Sequence, residues 1–197
     1  MGKLKLGFLA SHGGSNMQAI VDACRAGRLT AMPAVVISNN SKSGAIERAE
    51  REGIPHYHIS GKTHPGGEDE AIADVMAKRE VDLVILAGYM KKLGTQTLRQ
   101  FGGRILNIHP ALLPKFGGKR MYGKYVHEAV LRAGEKVSGP TVHLVDEQYD
   151  RGRILAQTEV PVLPDDTVES LSERVLEQEH KLYPATIQRI ATGEIEI

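Results

Sequence analysis

Asn107 and His109 stand two residues apart in the run Arg104–Pro114, behind an apolar approach and ahead of a proline. Side chains alternate faces along an extended strand, so these two project together while Ile108 turns into the core. Pro110 has no N–H for a sheet ladder and should end the strand there. An amide donor and an imidazole then sit side by side at a strand tip, where open α/β sheets carry their ligands. Such a pair suits a reaction in which an oxyanion is stabilised and a proton is moved. A buried His bonded to a backbone carbonyl is the competing reading. The neighbouring Asn and the proline stop favour chemistry.

A second candidate is the loop Ser11–Asn16, where Gly13 and Gly14 permit close backbone approach and Ser15 and Asn16 open a helix. Free N–H groups there, with the helix dipole, favour a phosphate; a plain tight turn is the alternative. No Walker lysine follows, and the dinucleotide Gly-x-Gly-x-x-Gly pattern is absent. The next strand ends at Ser38-Asn39-Asn40, without the acid that would hold an adenine ribose, so NAD is not expected. Asp150, beside Gly152 in a loop, is the third candidate. A carboxylate near an imidazole favours the imidazolium and raises its pKa from about 6.5; a solvated turn acid is the alternative. His56, His58 and His64, and the pair Glu179-His180, match no recognised ligand spacing, so no metal is expected. Lys91-Lys92 and Lys119-Arg120 read as solvated charge beside the proposed cleft.

The elements that must position these residues alternate strand-like and helix-like runs, which implies a parallel sheet covered by helices. Strands are expected over Leu4–Ala10, Pro33–Ser38, Ile54–Ile59, Val81–Ala87 (the central one), the Asn107–His109 run, Thr141–Val145 and Ile154–Val160. Helices are expected after Ser15, with Met17, Ile20, Val21 and Cys24 on one stripe, and over Gly44–Glu52, Glu68–Arg79, Gly94–Phe101 and Val126–Ala133. Thr167 reads as the N-cap of a last helix whose apolar face includes Val168, Leu171, Val175, Leu176, Leu182 and Ile187, with a kink expected at Pro184. The long irregular segment Leu113–Gly123 reads as functional or disordered.

At 197 residues one domain is the default, and 41% hydrophobic with 25% charged residues describes an ordinary soluble globular chain. A formal charge of +1 with scattered basic residues gives no reason to expect nucleic acid. The single cysteine, Cys24, excludes an intramolecular disulfide and fits a reducing, cytoplasmic setting. The Lys5-interrupted start is too short for a secretory h-region, and nothing approaches a transmembrane run, so no membrane partner is expected.

The segment Leu106–Pro114 resembles the Leu-Asn-Ile-His-Pro-Ser-Leu-Leu-Pro motif of folate-dependent formyltransferases. The likeness continues through Val142–Asp150, Ile154–Gln157 and Gln178–Pro184, and with Ser11–Gln18 it covers nearly the whole chain. The length, with no appended tRNA-binding or regulatory domain, is similar to the phosphoribosylglycinamide formyltransferase branch rather than to methionyl-tRNA formyltransferase. The resemblance implies a Rossmann-like, mostly parallel sheet with helices on both faces, in one formyltransferase domain over residues 1–197. It places ribonucleotide binding in the N-terminal half and folate binding and catalysis in the C-terminal half. It also implies formyl transfer from 10-formyltetrahydrofolate, a co-substrate, to the amine of 5′-phosphoribosylglycinamide in de novo purine (IMP) synthesis.

Carried over residue by residue, the catalytic positions are Asn107, His109 and Asp150. The ribonucleotide positions are Gly13, Gly14, Ser15, Asn16 and Glu179. The folate positions are Met90, Lys91, Lys92, Leu93 and Asn107, walled by Leu86, Ile105 and Val145. Both partners are small molecules, and a monomer or a homodimer is compatible. Three departures from the family stand out. Lys92 replaces a common aliphatic residue. Gly66-Gly67 lacks an arginine used near the folate tail, for which Lys62 or His64 could substitute. Phe116–Tyr125 is longer than usual. A formyltetrahydrofolate hydrolase is the rival enzyme, though it has no comparable reason to keep the phosphate loop with Glu179. A non-catalytic nucleotide-binding module is the rival outside enzymes.

Overall fold

The computed structural model describes residues 2–197. In chain order the elements are β1 (Leu4–Ala10), α1 (Ser15–Arg25), β2 (Ala31–Ser38), α2 (Gly44–Arg51), β3 (His56–His58), α3 (Glu68–Lys78), β4 (Leu83–Leu86) and α4 (Thr95–Phe101). There follow β5 (Ile105–His109), α5 (Lys124–Arg132), β6 (Val137–Ser138), β7 (Thr141–Leu144), β8 (Ile154–Gln157), β9 (Val160–Pro161) and α6 (Val168–Ala191). Seven strands form one sheet in the order β3-β2-β1-β4-β5-β7-β8. The first five run parallel, and β7 and β8 are antiparallel additions.

The two-residue period of the strands sorts the core into two layers. Leu6 and Phe8, Val36, Leu83 and Ile85, and Leu106 and Ile108 meet Met17, Ile20, Ala45, Tyr183 and Ile187 from α1, α2 and α6. Their alternates, Leu9, Val35 and Ile37, Val84 and Leu86, and Ile105, meet Ile72, Met76 and Phe101 from α3 and α4. Burial on both faces is what makes these strands near-continuous apolar runs. Gly7 on β1 lets α3 approach: a Cβ there would collide with Met76 and Val81.

Two expectations are corrected. The third strand contracts to His56–His58 at the sheet edge. The run Ile154–Val160 is two strands, because β8 pairs with β7 while β9 leaves to pair with β6, at a crossing where Thr158 N–H donates to Pro140. α6 continues through the buried Pro184 as one helix and starts at the expected Thr167 cap, with a Thr167–Ser170 capping box. Among the described residues no helix is long and apolar enough to cross a membrane.

Strand order reverses between β1 and β4, the switch point at which the loops after neighbouring strands diverge and open a crevice. Ser11 ties this crevice together: its hydroxyl donates to Asn39 Oδ1 (2.6 Å) and accepts from Met90 N–H (2.8 Å).

Candidate active site

The crevice holds a cavity of about 800 Å³ lined by the loop after β1, Gly88–Lys91 after β4, the tip of β5, the segment 118–123, Asp150 and Glu179. At its β5 end, Asn107 and His109 project on the same face, as alternation requires. The antiparallel register sets Asn107 opposite His143 and His109 opposite Thr141. Thr141 Oγ1 donates to Ala111 O (2.6 Å) and accepts from Leu113 N–H (3.0 Å), which holds the chain as it turns away at Pro110.

Asp150 folds back onto this tip with φ of 55°, a left-handed conformation uncommon outside Gly and most tolerated by Asn and Asp. Its Oδ2 lies 3.7 Å from His109 Nδ1 and its Oδ1 3.6 Å from His143 Nε2. Oδ2 also accepts Gly118 N–H at 2.7 Å. The opposite ring nitrogen of His109, Nε2, lies 2.8 Å from the Phe116 carbonyl, to which it donates. His109 is 3% exposed, and this burial holds its pKa below the ordinary value. Asp150 and the Phe116 carbonyl push it back up, while His143 pushes it down. The expectation that Asp150 leaves His109 with a raised pKa is thus corrected: Asp150 acts in that direction, and burial outweighs it.

At the other end of the cavity, α1 opens at Gly14 with φ of 71°, no side-chain cap and no acidic residue in its first turn. Its free amides and the positive end of its dipole therefore face the cavity. α2 backs this loop: Ala45 N–H donates to His12 O (3.0 Å) and Arg48 Nε to Gly13 O (2.8 Å). A Cβ on Gly14 would stand 2.9 Å from that of Ala45. Glu179, buried on α6, accepts from Asn16 Nδ2 at 2.6 Å. Burial pushes its pKa up to about 7, outweighing the hydrogen bond from Asn16, which lowers it. Asn16 Oδ1 is buried without a partner, so this corner presents unused acceptors to a ligand that donates. One helical turn on, Tyr183 OH shares its hydrogen between the carbonyls of Leu86 (3.1 Å) and Leu106 (3.0 Å), joining α6 to β4 and β5.

A side cleft of about 100 Å³ lies on the other side of Asn107, lined by Leu86, Lys91, Lys92, Leu93, Asn107 and Val145, with the loop 146–150. Met90 instead faces the large cavity. Ile105 is fully buried two residues before Asn107, in the same apolar cluster as Leu86, Leu93 and Val145, behind the side chains that line the side cleft. Lys92 Nζ sits 5.9 Å over the Tyr149 ring. Lys62 lines a neighbouring hollow of about 680 Å³ together with Lys91 and Lys92, whereas His64 is exposed and bonded to Thr63. Among the described residues no group of His, Cys, Asp or Glu is arranged to hold a metal ion.

The structure thus brings Asn107, His109 and Asp150 together, and Gly13–Asn16 with Glu179, at opposite ends of one cavity. His143 was not singled out from sequence. Its signal was there, in the apolar alternation Val142-His143-Leu144, which makes a polar residue on a buried strand conspicuous.

Residues 4–187 match the formyl transferase family. The chain belongs to that family. A relative from Vigna unguiculata named phosphoribosylglycinamide formyltransferase, chloroplastic, is 45% identical over 97% of this chain. The chain spans 62% of that relative's length. A relative from Haemophilus influenzae named phosphoribosylglycinamide formyltransferase is 38% identical over 98% of this chain and 90% of its own length. The crystal structure of glycinamide ribonucleotide transformylase 1 from Symbiobacterium toebii superposes with a TM-score of 0.92 at 42% identity. That match covers 99% of this chain and 91% of the other. In this member of the family both halves of the chain reach both ends of the cavity, since Glu179 meets Asn16 and segment 86–93 flanks Asn107.

Proposed function

We propose that this chain transfers the formyl group of 10-formyltetrahydrofolate to the amine of 5′-phosphoribosylglycinamide, a step in purine (IMP) synthesis. The observation that carries the reading is one cavity with an uncapped helix start at one end and an Asn–His–Asp cluster at the other. The names borne by the family members at 38–45% identity support it. The ribonucleotide phosphate sits on the amides of Gly13, Gly14, Ser15 and Asn16, and its ribose hydroxyls donate to Glu179. The glycinamide amine then points toward Asn107 and His109. The folate enters by the side cleft, between Leu86, Leu93 and Val145 and the backbone of Met90–Leu93.

The neutral amine attacks the formyl carbon, so a C–N bond forms while the carbonyl π electrons move onto oxygen. Asn107 and cationic His109 stabilise that oxyanion; one such donor is typically worth about 2.7–4 kcal/mol of barrier. The attacking nitrogen loses a proton, N10 of the folate gains one, and the C–N10 bond breaks. Asp150 favours the cationic His109 and accepts or relays the proton, through water where the distance requires it. Both substrates are handled by one domain. The single cysteine, Cys24, is compatible with a reducing, cytoplasmic setting, which cell fractionation checks.

The test is formyl transfer by the purified protein with and without the ribonucleotide, following tetrahydrofolate release and formylated product together. Product formation that depends on the ribonucleotide is expected. Formate release without transfer would make the chain a hydrolase, and ribonucleotide binding without turnover would make it a binding module.

A further inference from the structure

His143 is 2% exposed on β7, with both ring nitrogens engaged. Nδ1 lies 2.8 Å from the Leu144 carbonyl, and Nε2 lies 3.1 Å from Asn107 Nδ2. A carbonyl oxygen only accepts, so Nδ1 carries the hydrogen. In the neutral ring Nε2 is then an acceptor, and the Asn107 amide must turn its NH₂ toward it. A flipped amide would set Oδ1 against the Nε2 lone pair. One backbone carbonyl therefore decides, through the ring, which way the amide at the ring's other nitrogen faces.

We propose that His143 is a positioning residue that locks the Asn107 amide in the one orientation that offers a hydrogen to the reacting oxygen. The proposal rests on the formyl-transfer reading above. An unlocked amide has two orientations that exchange donor for acceptor, and an oxyanion meets a donor in only one. Fixing the amide beforehand removes that reorganisation from the reaction, which is how such donors gain their strength. Asp150 Oδ1, 3.6 Å from the same Nε2, supplies the rival arrangement. A hydrogen on Nε2 would turn to that carboxylate and evict the Asn107 donor. The Leu144 carbonyl holds the hydrogen on the far nitrogen and keeps the two catalytic side chains from competing for one ring atom.

Two measurements on the intact protein test this. Long-range ¹H–¹⁵N spectra of histidine-labelled protein, assigned with His143→Gln, should show His143 with its hydrogen on Nδ1 and a bare Nε2. A hydrogen on Nε2 overturns the proposal whether or not formyl transfer is observed. In kinetics, His143→Leu should lower kcat about ten- to a hundred-fold with little change in either KM, less than the about 10²–10³-fold cost of deleting an oxyanion donor. His143→Gln, whose Oε1 can take the Nε2 position as an acceptor, should recover most of that loss. In an Asn107→Ala background, His143→Leu should cost under about twofold more, because the residue it positions is gone. A fully additive loss, or a Gln variant as poor as Leu, overturns the proposal. A wild type without formyl transfer overturns the functional reading instead and leaves the spectrum to decide the tautomer.

Discussion

Asp150 and burial pull the His109 imidazole in opposite directions, and the proposed role of His109 depends on that balance. With the carboxylate 3.7 Å from Nδ1, Asp150→Asn removes the charge while keeping the side chain's size, so the His109 pKa should fall further. Each unit of fall lowers the cationic population about tenfold at pH values above the pKa, or about 1.36 kcal/mol. Activity should therefore drop most at alkaline pH and partly return on acidification. NMR titration of His109 in both proteins checks the cause, and superimposable curves would leave Asp150 as a relay or a turn residue. Glu179→Gln should raise the ribonucleotide KM and leave folate-analogue binding nearly unchanged; an unaltered ribonucleotide KM would return Glu179 to a purely structural place. Asn107 and His109 are legible in the sequence because strand alternation and a proline stop are local rules. Asp150 is legible only through resemblance, since its approach to His109 depends on a left-handed turn far along the chain. His143 is conspicuous as a polar residue on an apolar strand, but the role proposed for it is not legible, because it rests on antiparallel register between β5 and β7.

The elements themselves were readable wherever one periodicity held over enough residues. β1, α1, α3 and α6 fall where the pattern places them, because each carries a continuous apolar run or stripe with clear ends. The run through β8 and β9 misleads because its side-chain pattern is uninterrupted, while the change of partner is imposed by β6, a two-residue strand with no signal of its own. The same contrast applies to the junction of β1 and α1. The glycines announce a tight turn, but only the packing of α2 against it shows how little room there is. Gly14 has a positive φ, and a Cβ would meet Ala45, so Gly14→Ala is both strained and crowded. The backbone term alone is about 1–2 kcal/mol. The variant should weaken ribonucleotide binding by roughly tenfold or more, at about 1.4 kcal/mol per tenfold, and affect folate-analogue binding much less. Isothermal titration with each ligand, alongside circular dichroism, separates a distorted loop from a damaged fold. Equal loss of both ligands with an intact fold would count against placing the phosphate there.

Across the whole molecule, the pH dependence of stability near neutrality follows from buried groups whose proton affinities burial shifts in opposite senses. His127 on α5 is 3% exposed with an unpartnered Nδ1, and burial with His109 nearby pushes its pKa down to about 4. Burial lowers His109 and His180 as well. A depressed histidine contributes stability that is fully present above about 6.5 and is lost as pH falls toward the folded value, because the unfolded chain takes the proton first. Glu179 does the reverse. Its folded pKa of about 7 stands above the ordinary 4.5, so its contribution is complete below 4.5 and is lost as pH rises through 7. Between pH 7 and 5 the two trends offset one another, each on the order of 1–2 kcal/mol after allowing for solvent screening. The ligand-free protein should accordingly show a shallow stability profile over that interval. Removing either group exposes the slope of the other. His127→Leu also eliminates a buried polar atom without a partner, and urea unfolding should find it more stable at pH 5 than at pH 7. Glu179→Gln keeps a donor and acceptor beside Asn16 without a charge, and it should lose stability from pH 7 to 5 as the histidines dominate. Unfolding midpoints for both variants and the wild type at the two pH values provide the comparison. Slopes of the same sign in the two variants would refute the opposition and place the titrating groups elsewhere in the fold.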